Sequence, residues 1–168
     1  MRTMPTFELE VSYGQLAVFD AWLASPFCDW AEAHVCQGFA WRPGTVSFAT
    51  LAAAGPISVM VLAGPDALDA GPDALDACPD ALVERAIRVP FTVPAHGGLE
   101  LSSIGDAVEL RLPPGDHALP FRHGRTPVGM MVATLRFEPA DVPVTASILV
   151  TDPALAPPVV LVMTAEPA

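Results

Sequence analysis

Apolar and polar residues alternate with a period of two in run after run of this chain, which is the pattern of a β-strand with one buried face and one wet face. Phe7, Leu9, Val11 and Tyr13 alternate with Glu8, Glu10 and Ser12. Ile87, Val89, Phe91 and Val93 alternate with Arg88, Pro90 and Thr92, and Met131, Ala133, Leu135 and Phe137 with Val132, Thr134 and Arg136. Residues 16–19, 45–48, 57–62, 117–121, 146–150 and 159–163 read as further strands, and 99–104 with 108–112 as a hairpin through Gly105-Asp106. Most of the 19 prolines fall between these runs, where they end strands and stiffen loops. Pro90 has no N–H to give to a ladder, so its strand is expected at a sheet edge. Many short strands separated by turn residues predict an all-β fold, an antiparallel β-sandwich. Leu9, Val11, Phe48, Val89, Phe91, Leu110 and Leu135 are its expected core. At 168 residues the chain is expected to form a single sandwich domain over 1–168.

One short helix is expected within the sandwich, over residues 30–37. Asp29 is placed to cap it, Glu32 stands three residues on as in a capping box, and Gly38 supplies the stop. Residues 64–84 break the strand pattern. Residues 64–70 read GPDALDA, 71–77 repeat this without change, and 78–84 read CPDALVE. Pro72 and Pro79 would each cost a continuous helix about 3 kcal/mol, and three copies of seven residues cannot build a solenoid core. The repeat is therefore read as an insertion at about 64–84, a surface loop lengthened by duplication. It carries Asp66, Asp69, Asp73 and Asp76 without the alternate-position ligands of a calcium loop.

The chain bears a net charge of −11, its eight cations are all arginines, and it has no lysine. That balance opposes direct binding to nucleic acid and favours a partner with a basic surface. Cys28, Cys36 and Cys78 form no metal-ligand spacing and are odd in number, which argues against a disulfide scaffold. The first residues show no apolar leader segment and no stretch approaches the ~20 apolar residues of a membrane helix, so a cytoplasmic location without a membrane span is expected.

No nucleophile elbow, phosphate loop or zinc-protease motif occurs. Asp116 and His117 are adjacent and would point to opposite faces of a strand. His117 and His123, which flank an expected strand end, are read as exposed loop residues rather than as acid–base groups, and residues 122–125 as a small basic loop. No catalytic residue, metal ligand or cofactor is assigned, and the chain is not expected to be an enzyme. Trp22, Trp30 and Trp41 gather with Phe19, Phe27 and Phe39 near the N-terminus, as a core plug from which Trp30 is set apart by its acidic neighbours Asp29 and Glu32. The expected partner-binding residues are Asp29, Trp30 and Glu32, with Asp66, Asp69, Asp73 and Asp76 of the repeat.

Several blocks occur in a familiar order. Glu8-Leu9-Glu10-Val11-Ser12-Tyr13 is followed by Gln15 and Val18-Phe19. Asp29-Trp30, Gly38-Phe39 and Gly44-Thr45-Val46-Ser47-Phe48 come next, then Val89-Pro90-Phe91 and Leu112-Pro113-Pro114-Gly115-Asp116. In order and spacing, across about residues 7 to 121, these blocks resemble the competence protein J family, inhibitors of the DNA-entry nuclease. The resemblance implies a small acidic protein that binds and blocks a metal-dependent, non-specific DNA nuclease. The residues alone leave a rival reading, a β-sandwich module for some other protein or small ligand.

Overall fold

The alternating runs form strands that pair into two large sheets. The structure is a computed structural model and describes residues 6–63 and 81–168. The first sheet holds β1 (Thr6–Val11), β6 (Gly55–Ala63), β7 (Leu82–Val93), β10 (Gly115–Arg125), β11 (Met131–Pro139) and β12 (Ser147–Val150). Their spatial order is β1-β6-β11-β10-β7-β12. The second holds β2 (Gln15–Asp20), β4 (Phe39–Arg42), β5 (Thr45–Ala49), β8 (Gly98–Ser103) and β9 (Asp106–Arg111), in the order β4-β5-β2-β8-β9. A small ribbon pairs β3 (Cys28–Asp29) with β13 (Glu166–Pro167), and one helix, α1, spans Glu32–Gln37.

The inner faces of the two sheets close on one another. Leu9, Val11, Ile57, Val59, Ile87, Val89, Leu119, Phe121 and Leu135 of the first sheet meet Leu16, Val18, Phe39, Val46, Phe48, Leu99 and Leu101 of the second. Phe48 and Phe121 stack across the gap, with ring centroids 4.4 Å apart and planes 10° from parallel. All seven residues expected in the core are buried. The expected hairpin is present as β8 and β9. Residues 159–163, expected as a strand, form none.

Pairing departs from strict antiparallel order at one place, where β6 and β11 run parallel. Pro90 also needs correcting. Its strand, β7, lies inside the sheet between β10 and β12. Proline is tolerated because β12 pairs only with Ala86, Ile87 and Arg88, so the ladder on that side has ended before Pro90. The Pro90 carbonyl instead accepts the Trp41 indole N–H at 2.8 Å, a bond between the sheets.

The histidines differ from expectation as well. His117 and His123 are buried rather than exposed, and residues 122–125 belong to β10 rather than to a loop; His34, in the expected helix, is buried too. His123 stands at the seam between the sheets. Its Nε2 accepts the Leu51 N–H at 3.0 Å and its Nδ1–H donates to the Val132 carbonyl at 2.8 Å. A neutral imidazole satisfies both bonds; a proton on Nε2 would abolish the first. Burial dominates and holds the pKa of His123 down to about 4, helped by the nearby cations Arg85 and Arg125 and opposed by the Val132 bond and by Asp152.

Two predictions follow from this framework. The folded pKa of His123 lies below the unfolded value of 6.5, so the unfolded chain takes up the proton first as pH falls. The stability from this site is complete above about pH 6.5 and is lost as pH falls towards 4, by about 3 kcal/mol in all. Urea unfolding at pH 7 and pH 4.5 should show the loss, and His123→Gln should flatten it.

The second concerns chain length. The pairings of β6 with β11, β11 with β10 and β10 with β7 make β6 and β7 point the same way. Ala63 and Leu82 therefore stand ~25 Å apart, separated along the strand direction and by three strand spacings. The heptad repeat expected as a loop lies outside the described residues. Deleting residues 64–70 leaves 11 of the 18 connecting residues, enough to reach ~35 Å. Deleting 64–77 leaves four, which reach only ~17 Å. The first deletion should shift the melting temperature by a few degrees at most; the second should abolish cooperative unfolding.

Candidate protein-docking face

Two local segments meet beside the open end of β2. The first is the turn between β1 and β2. Alternation places Tyr13 on the buried face with Leu9 and Val11, but β1 ends at Val11 and the turn lifts Tyr13 outward, leaving it 81% exposed. Tyr13 and Gly14 both have positive φ, 56° and 64°. The turn is pinned by the Gly14 N–H to the Ala53 carbonyl at 2.8 Å and by the Thr50 N–H to the Gly14 carbonyl at 2.9 Å. A left-handed tyrosine is uncommon and persists only where its surroundings enforce it.

The second segment runs from β3 into α1. Asp29, expected as the helix cap, is exposed in β3 and pairs with Glu166 of β13. Ala31 takes the cap position, and Glu32, expected to close a capping box, is the first helical residue. The role falls to His34. Its Nδ1 accepts the Ala31 N–H at 2.9 Å, which leaves Nε2–H to donate to the Thr164 carbonyl at 2.8 Å. Exposed Glu32 still lies in the first turn, where the helix dipole favours a negative charge. Gly38 ends the helix as expected, with φ 86°. The positive φ calls for glycine, and a Cβ there would also come within 2.9 Å of the Leu155 side-chain tip, which would have to shift.

The C-terminal segment holds this short helix against the sandwich. The Gln37 side chain donates to the Val162 carbonyl and accepts the Val162 N–H, both at 2.9 Å. The Cys36 carbonyl accepts the Ala156 N–H at 2.9 Å. Further back, the Arg85 guanidinium grips the Asp152 carboxylate through two bonds of 2.6 and 3.1 Å and depresses its pKa. A helix of six residues has little stability of its own, so these contacts fix where it sits.

Between the segments lies a cleft of ≈ 370 Å³ lined by Tyr13, Gly14, Gln15, Trp30, Val35 and Ala49. Its walls are apolar, and Val35 points outward from α1 at 59% exposure. Two polar atoms on residues that line it, Gln15 Oε1 and Trp30 Nε1, are shut from solvent and lack a hydrogen-bond partner. The exposed carboxylates of Asp29 and Glu32 flank Trp30 along the chain. Of the residues expected to bind a partner, Trp30 lines the cleft and Asp29 and Glu32 are its exposed neighbours in the chain, whereas Asp66, Asp69, Asp73 and Asp76 lie outside the described residues. Tyr13, Gln15 and Val35 were not foreseen.

Trp22 is no part of a core plug. It is 77% exposed at the other end of β2 and stacks on His96 at 3.7 Å between centroids. His96 is fixed by the Asp20 carboxylate at 2.9 Å and by the Gly98 N–H at 3.0 Å. Asp116 accepts the Thr92 hydroxyl at 2.7 Å, while His117 turns inward. Among the described residues, no group of three or more His, Cys, Asp or Glu side chains is arranged to hold a metal. No described helix is long and apolar enough to cross a membrane.

The family model for Competence protein J matches residues 8–131. The fold is similar to the crystal structure of ComJ, inhibitor of the DNA degrading activity of NucA, from Bacillus subtilis. That likeness has a TM-score of 0.60 at 19% identity and covers 83% of this chain and 100% of that one. No curated protein matches.

The cap assignment is directly testable. Asp29→Ala should leave stability within about 0.5 kcal/mol of the parent. His34→Ala removes two bonds and should cost about 2 kcal/mol. Urea titration of both variants at neutral pH distinguishes them.

Proposed function

Since this chain belongs to the competence protein J family, we propose that it is a non-catalytic inhibitor that binds a DNA-degrading nuclease and occludes its DNA groove. The family match over residues 8–131 carries the reading. The fold shared with an inhibitor of NucA and the net charge of −11 support it. A nuclease must attract phosphates, so the rim of its active site tends to be basic. An acidic protein can seat carboxylates where phosphates would sit, and opposite charges accelerate encounter while penalising wrong partners. The proposed partner is a metal-dependent, non-specific nuclease with a basic surface, and the inhibitor contributes shape and charge without a cofactor of its own.

Titrating the protein against a NucA-like nuclease encoded in the same genome tests this. Inhibition should be complete near a one-to-one ratio at low salt and should weaken at moderate salt as the charges are screened. Failure to inhibit any such nuclease at either salt would overturn the proposal.

A further inference from the structure

The cleft beside Trp30 has three properties that converge on one kind of occupant. The first is its pair of unmet polar atoms, one acceptor at Gln15 Oε1 and one donor at Trp30 Nε1. A buried polar group without a partner is costly, because it has lost its water and gained nothing in exchange. An acceptor and a donor on two residues of one lining can be met by the main chain of an extended segment, a backbone N–H for the first and a backbone carbonyl for the second. Modest rotations of the Gln15 amide and the Trp30 indole, of the size usual at interfaces, expose both atoms to an entering chain.

The second property is the wall. Tyr13 is 81% exposed and Val35 59%, and Tyr13 is held there in a left-handed conformation. Both stand on backbone already fixed, Tyr13 by its turn bonds and Val35 by the Gln37–Val162 and His34–Thr164 contacts. An apolar side chain that packs between them orders little that was free, which favours binding. The third property is the charge beside Trp30 in the chain. Asp29 and Glu32 are exposed and flank Trp30, so a cation is favoured beside the apolar site. A second copy of this chain would bring the same carboxylates, and charge opposes it.

We infer that the Tyr13–Gln15–Trp30–Val35 cleft receives an extended backbone segment of the nuclease in which a cationic side chain stands next to an apolar one. The inference rests on the proposed function and names the surface through which it acts. The apolar residue fills the space between Tyr13 and Val35, backbone groups of the segment satisfy Gln15 and Trp30, and the cation meets Asp29 and Glu32.

The experiment uses the full chain and the NucA-like nuclease of the same genome, with binding read by calorimetry and inhibition by DNA degradation. Val35→Arg and Tyr13→Ala alter exposed side chains and should unfold like the parent. Each should weaken binding by about tenfold or more, as expected of a central interface residue. Trp22→Ala, at the opposite end of β2, should bind as the parent does. On complex formation the indole N–H resonance of Trp30 should move and its exchange with solvent should slow. If the parent inhibits and both cleft variants bind within twofold of it, the inference fails while the proposed function stands. If the parent inhibits no nuclease, both fail together. If the parent self-associates in light scattering and Val35→Arg alone makes it monomeric, the occupant is a second copy and the inference is overturned.

Discussion

The stack of Phe48 on Phe121 and the His123 bonds beside it tie the two sheets into one framework. Phe48 belongs to β5 and Phe121 to β10, so the stack joins an inner strand of one sheet to an inner strand of the other. His123 lies two residues along β10 and bonds to the Leu51 amide just beyond β5, with its ring 5.3 Å from that of Phe121. Arg85, on the neighbouring strand, donates to the Ala49 carbonyl at 2.7 Å at the end of β5 and holds Asp152 with its remaining nitrogens. Apolar packing supplies most of the attraction there, while the polar bonds set how the sheets align. Ala49 and the 50–53 segment are fixed by the same contacts, and these are the residues on which the Tyr13 turn rests.

The position of α1 depends on chain beyond the family match. That match ends at residue 131, yet Asp152, Leu155, Val162 and Thr164 grip the helix and the strand beneath it. Trp30 and Val35 are thus presented by a helix too short to stand alone, held by a segment with almost no regular structure of its own. The arrangement gives a rigid apolar cleft at low cost in new order on binding. It is a fitting surface for a protein whose proposed work is to block another by covering it.

Strands were legible in the sequence because a period of two specifies both the element and its buried face. The run from Leu9 to Val11 and that from Val89 to Val93 show this directly. Alternation could not say where a strand ends, so Tyr13 reads as a core residue although its turn carries it to the surface. Proline signals at Pro90 were blind to a partner strand that stops short. The buried histidines escaped notice because their bonds reach distant backbone: Val132 and Leu51 for His123, Thr164 for His34. Asp29 had every local mark of a cap, but strand pairing with Glu166 claimed its backbone instead. Of the cleft, Trp30 and its acidic neighbours were visible as a polar segment around an aromatic residue. Tyr13, Gln15 and Val35 become neighbours of Trp30 only when the β1–β2 turn and α1 are brought together.

Hydrogen exchange on the protein, alone and saturated with a NucA-like nuclease of the same genome, tests the central claim most directly, because it maps the covered surface without altering a residue. An account in which the Tyr13 turn and α1 form the docking face predicts slowed exchange at residues 12–15 and 29–37, with the turn at 94–97 unchanged. Slowing confined to the Trp22–His96 end of β2, or to the outer edge of β12, would contradict it.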